Sequence, residues 1–217
     1  MRANYRSAAI QAQTLAAIVA GQLAEALGLR GRATLAVPGG STPAAFLRAL
    51  SGADIDWAKV DVLLTDERMV PESDPRSNSA MLRGALWQGN AAKARHWPLE
   101  EPGEDIRTLL PLDVCVLGMG ADGHIASLFP GADQLARALD PDCAAIVLAI
   151  TAPGAPEPRI SLTARVLTGA RHLHLLIAGA DKAAALARAE QPGPTAEAPV
   201  RAILARDDLV IHYSGEG

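Results

Sequence analysis

Apolar residues recur along this chain in two patterns, one helical and one typical of strands. Near the start they lie mostly three to five positions apart, which predicts a helix of about 20 residues ending in the Gly28–Gly31 region. Short apolar runs further on predict strands. The helical stripe consists of Ile10, Leu15, Ile18, Val19, Leu23 and Leu27, and the strand runs are 33–37, 60–65, 112–118, 144–150, 172–179 and 208–213.

Helical segments separate several of these runs. Thr42 and Pro43 are suited to cap and open a helix, Ser77 can start another that reaches Trp87, and residues 181–190 predict a third. Several runs are almost continuously apolar, which suits strands covered on both faces. We therefore expect a doubly wound, Rossmann-like α/β fold with a mostly parallel sheet flanked by helices, in a single domain over residues 1–217.

Composition narrows the classes of partner and compartment. The formal net charge of the 217 residues is −4 and there is no basic run, so nucleic acid is not an expected partner. Residues 7–24 lack charge but contain three glutamines, which favours a soluble helix over a membrane span. Cys115 and Cys143 sit in or beside apolar runs without metal-ligand spacing, which fits the cytoplasm. We expect a monomer or weak homodimer.

The segment "PGGSTP" follows the first strand run. Gly39 and Gly40 let the backbone approach a ligand, and Ser41 and Thr42 add hydroxyls at a helix start, where free N–H groups favour phosphate. The alternative is a tight turn in which the hydroxyl residues only cap the helix. The segment is not a Walker loop, since it lacks the G-K-[ST] ending.

The segment "TDER" follows the second run. In extended backbone Asp66 and Arg68 face the same way and Glu67 faces the opposite way. A carboxylate and a guanidinium on one side can handle a proton and an anionic oxygen. The alternative is a surface cluster of salt bridges.

The segment "GMGADGHIASLFPG" follows the third run and has the G-x-G-x-x-G spacing of a dinucleotide-binding turn. That function also needs a long helix and an acidic residue after the next strand. Pro130 limits the predicted helix to about two turns, and the next run ends in Thr151, Ala152 and Pro153 without an acid. The glycine turn therefore presents Asp122 and His124 as a candidate orienting carboxylate and general base. The alternative is a structural histidine, which is how we interpret His96, His172, His174 and His212.

Two basic residues follow later strand runs. Arg159 begins "RISLT", and Lys182 lies at the start of a predicted helix after "IAGAD". A cation at a helix start opposes the helix dipole, so a bound anion explains Lys182 better than stability does. A solvent-exposed lysine is the alternative. The polar segments all follow predicted strands, and the carboxyl ends of parallel strands form the ligand-binding edge of such folds.

Taken together, "PGGSTP", "TDERMVP" with the later "SN" at 77–78, "GMGADGHIASLFPG", "PRISLT" and "GADK" resemble the 6-phosphogluconolactonase family, which is related in fold to the glucosamine-6-phosphate deaminases. The resemblance implies hydrolysis of 6-phosphoglucono-1,5-lactone, a phosphorylated sugar lactone, to 6-phosphogluconate in the oxidative pentose phosphate route, without metal or organic cofactor. It implies His124 as general base, Asp122 as its orienting residue, and Asp66 and Arg68 at the sugar-acid end. Arg68 is our choice for stabilising the oxyanion. The implied phosphate ligands are Ser41, Thr42, Arg159 and Lys182.

Phe129 distinguishes the two related activities. The deaminases resemble this loop but continue in a "FNEPG"-like sequence, so Phe129 stands where their acidic residue would be. A glucosamine-6-phosphate deaminase-like activity is therefore the second hypothesis. A non-catalytic regulator that binds sugar phosphates is the third.

Overall fold

The computed structural model describes residues 1–100 and 104–216 and contains a seven-stranded parallel sheet. A separate antiparallel sheet has three strands, in the spatial order Asp66–Arg68, Arg159–Leu162 and Val147–Ile150. Numbered in chain order, the strands of the main sheet are β1 (Arg2–Tyr5), β2 (Ala33–Val37), β3 (Val60–Leu64), β5 (Arg95–Trp97), β6 (Val114–Leu117), β9 (His172–Ala178) and β10 (Val210–Ser214), and those of the small sheet are β4 (Asp66–Arg68), β7 (Val147–Ile150) and β8 (Arg159–Leu162).

Helices flank the main sheet, as the doubly wound prediction requires. The second helix packs on the first and the third, and among the later helices the fifth packs on the fourth and the seventh. The α-helices are α1 (Ala8–Arg30), α2 (Ala44–Ser51), α3 (Asn78–Ala85), α4 (Leu135–Leu139), α5 (Ala164–Thr168), α6 (Ala180–Ala189) and α7 (Arg201–Leu204), and short 3-10 helices occupy Trp57–Lys59, Gly89–Lys93, Glu104–Leu109 and Thr195–Glu197. Strands β2, β3 and β6 are buried along their whole length, which confirms strands covered on both faces.

Helix α1 is long and apolar enough, by length and composition alone, to cross a membrane. It packs on the sheet through a stripe that includes Leu15, Val19 and Leu23, whereas Ile10 and Ile18 of the predicted stripe are exposed. Buried Gln11 donates hydrogen bonds from its side chain to two carbonyl oxygens of the sheet. These contacts place one face of the helix against the sheet.

The strand order places a topological switch point between β2 and β6. The sheet runs β1-β10-β9-β6-β2-β3-β5, so the chain moves outward from β2 through β3 to β5 and then returns to β6 before moving the other way. The connections that leave β2 and β6 therefore diverge and open a crevice at their carboxyl ends. The segments "PGGSTP" and "GMGADGH" both begin there.

Three local predictions need correction. The run 144–150 does form a strand, but it belongs to the antiparallel sheet, where Leu148 and Ile150 are buried and Ala149 is exposed. Thr42 does not cap α2 with its side chain, because the helix begins after Pro43. No helix follows β6 directly, and the next helix, α4, begins only at Leu135.

Contacts with the small sheet explain the missing helix. Backbone N–H of Ser127 donates to Oγ of Ser161, and Oγ of Ser127 donates to Asp66. A tight turn from Ile125 to Leu128 closes beside them, with Ala126 at φ 48°. These hydrogen bonds hold the segment as a loop across β4 and β8, where a helix would have to satisfy its own backbone.

Candidate active site

A cleft of about 290 Å³ lies at the carboxyl ends of β2 and β6. It brings together every predicted site residue except Asp122, which contacts the cleft through His124. The cleft thus combines the phosphate-loop, acid–base and cationic residues that the sequence places in separate loops. The predicted residues that line it are Gly39, Gly40, Ser41, Thr42, Asp66, Arg68, His124, Arg159 and Lys182.

The loop after β2 is tied to β4 by Asn78, the first residue of α3. A Cβ atom on Gly39 would lie 2.0 Å from Cγ of Asn78, so only glycine allows this approach. The Asn78 amide donates to the backbone oxygen of Asp66 at 3.0 Å. Asn78 therefore fixes the distance between the candidate phosphate loop and the acidic residue after β3.

His124 is oriented by Asp122. Nδ1 of His124 lies 2.6 Å from Oδ1 of Asp122, which also accepts the backbone N–H of His124. Burial by itself would raise the pKa of Asp122, but the hydrogen bonds from His124 lower it below its ordinary value. The carboxylate is thus an acceptor and Nδ1 must be the donor, which leaves Nε2 of the neutral ring as the basic nitrogen.

Gly120 makes room for this pair. A Cβ atom at position 120 would lie 2.2 Å from Cε1 of His124 and 2.6 Å from Oδ1 of Asp122. The second glycine of the apparent dinucleotide motif therefore admits the imidazole ring to the turn. This role accounts for the glycine without a nucleotide.

Phe129 packs against both the histidine and an arginine. Its ring centroid lies 4.1 Å from that of His124, and the guanidinium carbon of Arg159 lies 5.6 Å from the same ring. An aromatic ring in this place presents no acid or base to His124. It restricts the imidazole on one side, as Asp122 does through Nδ1.

Asp66 is buried at the edge of the cleft. Its carboxylate accepts hydrogen bonds from Oγ of Ser127 at 2.6 Å and from Oγ1 of Thr65 at 3.1 Å. Burial raises the pKa of Asp66, and these two hydrogen bonds and the charge of Arg159 oppose the increase. The group is positioned to accept a further hydrogen bond from a polar ligand.

Glu67 points away from the cleft, as the alternation in extended backbone predicts. Its carboxylate accepts hydrogen bonds from Oγ of Ser77 and from the backbone N–H groups of Asn78 and Ser79. A carboxylate at this position satisfies free donors at the start of α3. Glu67 therefore stabilises the helix that carries Asn78.

Arg68 and Arg159 lie directly opposite each other on β4 and β8. Buried Glu157 lies between them, with Oε1 3.6 Å from Nε of Arg68 and 3.7 Å from Nη2 of Arg159. Burial lowers the pKa of Arg159, and the charge of Arg68 lowers it further. The arrangement concentrates positive charge at one wall of the cleft and suits an anionic ligand.

Lys182 supplies a third cation from the first turn of α6. Its Nζ lies 3.5 Å from Oγ1 of Thr42, which links the loop after β9 to the loop after β2. Burial lowers the pKa of Lys182. The side chain thus faces the cleft, whereas a lysine serving only solubility would extend into water.

The sequence interpretation missed Asn78 and Glu157 as site residues. Asn78 belongs to the quoted resemblance only as part of "SN", and Glu157 stands two residues before Arg159 in "PEPR". Their positions become meaningful only when β4 and β8 pair. Among the described residues no group of three or more His, Cys, Asp or Glu side chains is arranged to hold a metal ion.

Comparisons with known proteins agree with this architecture. The family model for glucosamine-6-phosphate isomerases/6-phosphogluconolactonase matches residues 6–211. This chain belongs to that family. A 6-phosphogluconolactonase of Rhizobium meliloti is 45% identical over 207 residues, which cover 90% of this chain and 89% of the relative.

Two further relatives extend the agreement over nearly the whole chain. A 6-phosphogluconolactonase of Pseudomonas aeruginosa is 44% identical over 219 residues, which cover 95% of this chain and 92% of the relative. The crystal structure of a 6-phosphogluconolactonase from Shewanella baltica superposes with a TM-score of 0.92 at 34% identity, covering 99% of this chain and 97% of that one. The fold and family expected from the sequence are confirmed.

Proposed function

We propose that this protein hydrolyses 6-phospho-D-glucono-1,5-lactone to 6-phospho-D-gluconate in the oxidative pentose phosphate pathway. The observation that carries the proposal is His124, whose Nδ1 is bound to Asp122, in the same cleft as a glycine–serine–threonine loop and three cations. The relatives named 6-phosphogluconolactonase at 44–45% identity support the substrate. A lactone is an activated ester, so one base and one electrostatic stabiliser suffice.

The phosphate group is the handle that positions the substrate. The backbone N–H groups and hydroxyls of Ser41 and Thr42, together with Arg159 and Lys182, hold the phosphate by charge-assisted hydrogen bonds. Asp66 accepts a hydrogen bond from a sugar hydroxyl. This binding places the lactone carbonyl next to His124, so remote binding energy orients the reacting carbon.

The chemical step begins with a water molecule held by Nε2 of His124. Nε2 takes a proton as the water oxygen forms a bond to the carbonyl carbon, and Arg68 stabilises the oxyanion that develops. The bond from that carbon to the ring oxygen then breaks, and the protonated imidazole returns the proton to the departing oxygen. The product carboxylic acid ionises and releases a proton to solvent.

Phe129 separates this activity from that of a glucosamine-6-phosphate deaminase. Amine protonation and ring opening need an acid beside the histidine, and the ring of Phe129 fills that place. A non-catalytic regulator would keep the phosphate residues without an oriented base, whereas the Asp122–His124 pair is present. We propose a cytoplasmic monomer or weak homodimer that uses neither metal nor organic cofactor and binds neither nucleic acid nor membrane.

The decisive experiment measures acid release from freshly prepared lactone, corrected for spontaneous hydrolysis. We expect turnover by the parent chain and no ammonia from glucosamine 6-phosphate. Arg159→Ala and Lys182→Ala should mainly raise KM, because each removes a charge-assisted contact with phosphate. Stabilisation by phosphate without lactone turnover would reject the lactonase in favour of a regulator, and ammonia release would favour the deaminase.

A further inference from the structure

We propose that Glu157 is a positioning residue that holds Arg68 and Arg159 in the arrangement that binds the anionic substrate. The proposal rests on the proposed function and extends it to a residue outside the motifs of the family resemblance. Glu157 does not line the cleft, and it acts through the two arginines that do. Its carboxylate is buried, at 8% exposure of the side chain.

The register of the small sheet brings two like charges together. Antiparallel pairing of β4 and β8 places Arg68 opposite Arg159. Like charges opposite each other on paired strands destabilise the pairing and push the side chains apart. Something must therefore counter the repulsion if both guanidinium groups are to face the same cleft.

Glu157 is the group placed to do so. Its Oε2 lies 3.0 Å from Nη1 of Arg76, which is itself held by Asp74 through two hydrogen bonds from its side chain. The other oxygen, Oε1, lies within 3.7 Å of Arg68 and Arg159. One end of the carboxylate is thus anchored, and the other attracts both arginines.

The distances from Oε1 to the two arginines, 3.6 and 3.7 Å, are longer than hydrogen bonds, as expected if the charge positions the side chains without bonding to them. Among the described residues, Oε1 of Glu157 and the Nε atoms of Arg68 and Arg159 are buried and make no hydrogen bond. Buried polar atoms of a rigid structural ion pair are normally satisfied within the pair. Here the charge restrains the guanidinium groups without a hydrogen bond to them, and both arginines line the cleft in which a ligand would bind.

The test compares Glu157→Gln with Glu72→Gln as a matched control. Glu72 pairs with Arg83 outside the cleft, so its loss should leave activity unchanged. For Glu157→Gln we expect the Kd for 6-phosphogluconate, measured by calorimetry, and the KM for the lactone each to rise about tenfold, with kcat falling about tenfold, because both arginines are displaced. Glu157→Asp keeps the charge with a shorter reach and should give intermediate values.

A purely structural role predicts a different result. It would lower the active fraction and hence the apparent kcat, but it would leave Kd and KM at the parent values, and that outcome would overturn the proposal. If Glu157→Gln does not fold, Arg76→Gln carries the test, because it frees the anchored oxygen. We expect it to raise the Kd about threefold, and an unchanged Kd would overturn the proposal.

The calorimetric Kd for 6-phosphogluconate tests the role of Glu157 independently of the proposed function. If the parent chain binds 6-phosphogluconate but does not hydrolyse the lactone, the lactonase proposal fails and the calorimetric comparison still decides the role of Glu157. If the parent hydrolyses the lactone and Glu157→Gln binds product like the parent, only the role of Glu157 fails.

Discussion

Two regions of this protein contain histidines in hydrogen-bonded arrangements, and they use the residue in opposite ways. In the cleft, Nδ1 of His124 is bound to Asp122, and within residues 1–100 and 104–216 no other side chain is hydrogen-bonded to the ring. In the core, His174 and His212 lie between α1 and the sheet with both ring nitrogens of each occupied. One region leaves a nitrogen free for chemistry, and the other leaves none.

The partners in the core determine the tautomer of each ring. Oε1 of Gln22 can only accept, so Nε2 of His174 donates to it at 2.9 Å. In the neutral rings Nδ1 of His174 then accepts from Nε2 of His212 at 3.1 Å, and Nδ1 of His212 accepts from the hydroxyl of Tyr5 at 2.8 Å. The chain of hydrogen bonds requires a neutral His174, because its Nε2 donates and its Nδ1 must accept.

Burial enforces that neutral state. It lowers the pKa of His174 to about 3, with a smaller contribution from the neighbouring His212, and it lowers the pKa of His212 to about 4. The comparison teaches that a histidine's role follows from the partner of its second nitrogen. Residue type and position beside an apolar run are similar in both regions.

The largest expected effect comes from His124→Ala. Loss of a general base lowers kcat by roughly 10²–10⁴-fold, and stability should change little because the ring is partly exposed. The measurement is lactone turnover together with the urea midpoint. His172→Ala, at the start of β9 and outside the cleft, serves as the control. A parent-like kcat for His124→Ala would remove the contrast between the two regions.

The second-largest expected effect is a loss of stability in acid, caused by the two core histidines. Above pH 6.5 the core histidines are neutral in the folded and unfolded states, so they do not make the free energy of unfolding depend on pH. As the pH falls from 6.5 towards 4, the unfolded chain takes up protons that the folded chain cannot, because its pKa values are about 4 and 3. The free energy of unfolding should therefore fall, by on the order of a few kcal/mol at pH 4.

Urea unfolding at pH 7, 6 and 5 checks this expectation. His212→Gln removes one titrating ring and should flatten the decrease of stability with pH. A parent protein and a His212→Gln variant with the same pH dependence would show that His212 is charged or exposed in the folded state.

Asp122→Asn tests the orientation of the active-site histidine. The amide keeps the size of the side chain but can donate to Nδ1, which favours the tautomer with the proton on Nε2 and removes the basic nitrogen. We expect kcat to fall about 10- to 100-fold with KM within twofold to threefold. Equal kcat for parent and variant would mean that Asp122 only shapes the turn.

The smallest effect is expected from Gln22→Leu in the core. It leaves Nε2–H of His174 buried without an acceptor, which costs about 1–2 kcal/mol of stability, while lactone turnover per folded molecule stays unchanged. Gln13→Leu, on the exposed side of the same helix, is the matched control. If both glutamine variants are equally stable, the hydrogen bond from His174 contributes nothing.

Much of the fold and most of the candidate site were predictable because their signals are local. An almost continuously apolar run such as 33–37 indicates burial on both faces, and extended backbone at Asp66 and Arg68 requires that they face the same way. The edge strands β1 and β5 were not predicted, since both are short and polar. The helix expected after His124 was wrong because Ser127 bonds to residues far away in the chain.

By itself, then, the sequence determined which residues form the buried strands and which loops carry the candidate phosphate-binding, acid–base and cationic residues. Only the tertiary structure decided that Arg68 faces Arg159 with Glu157 between them and that Asn78 packs on Gly39. It also decided that His174 and His212 form a chain of hydrogen bonds with Tyr5. The physical reason is the separation along the chain of the residues that interact. Burial and backbone alternation act on neighbours in sequence, whereas pairing register brings together charges that lie tens of residues apart.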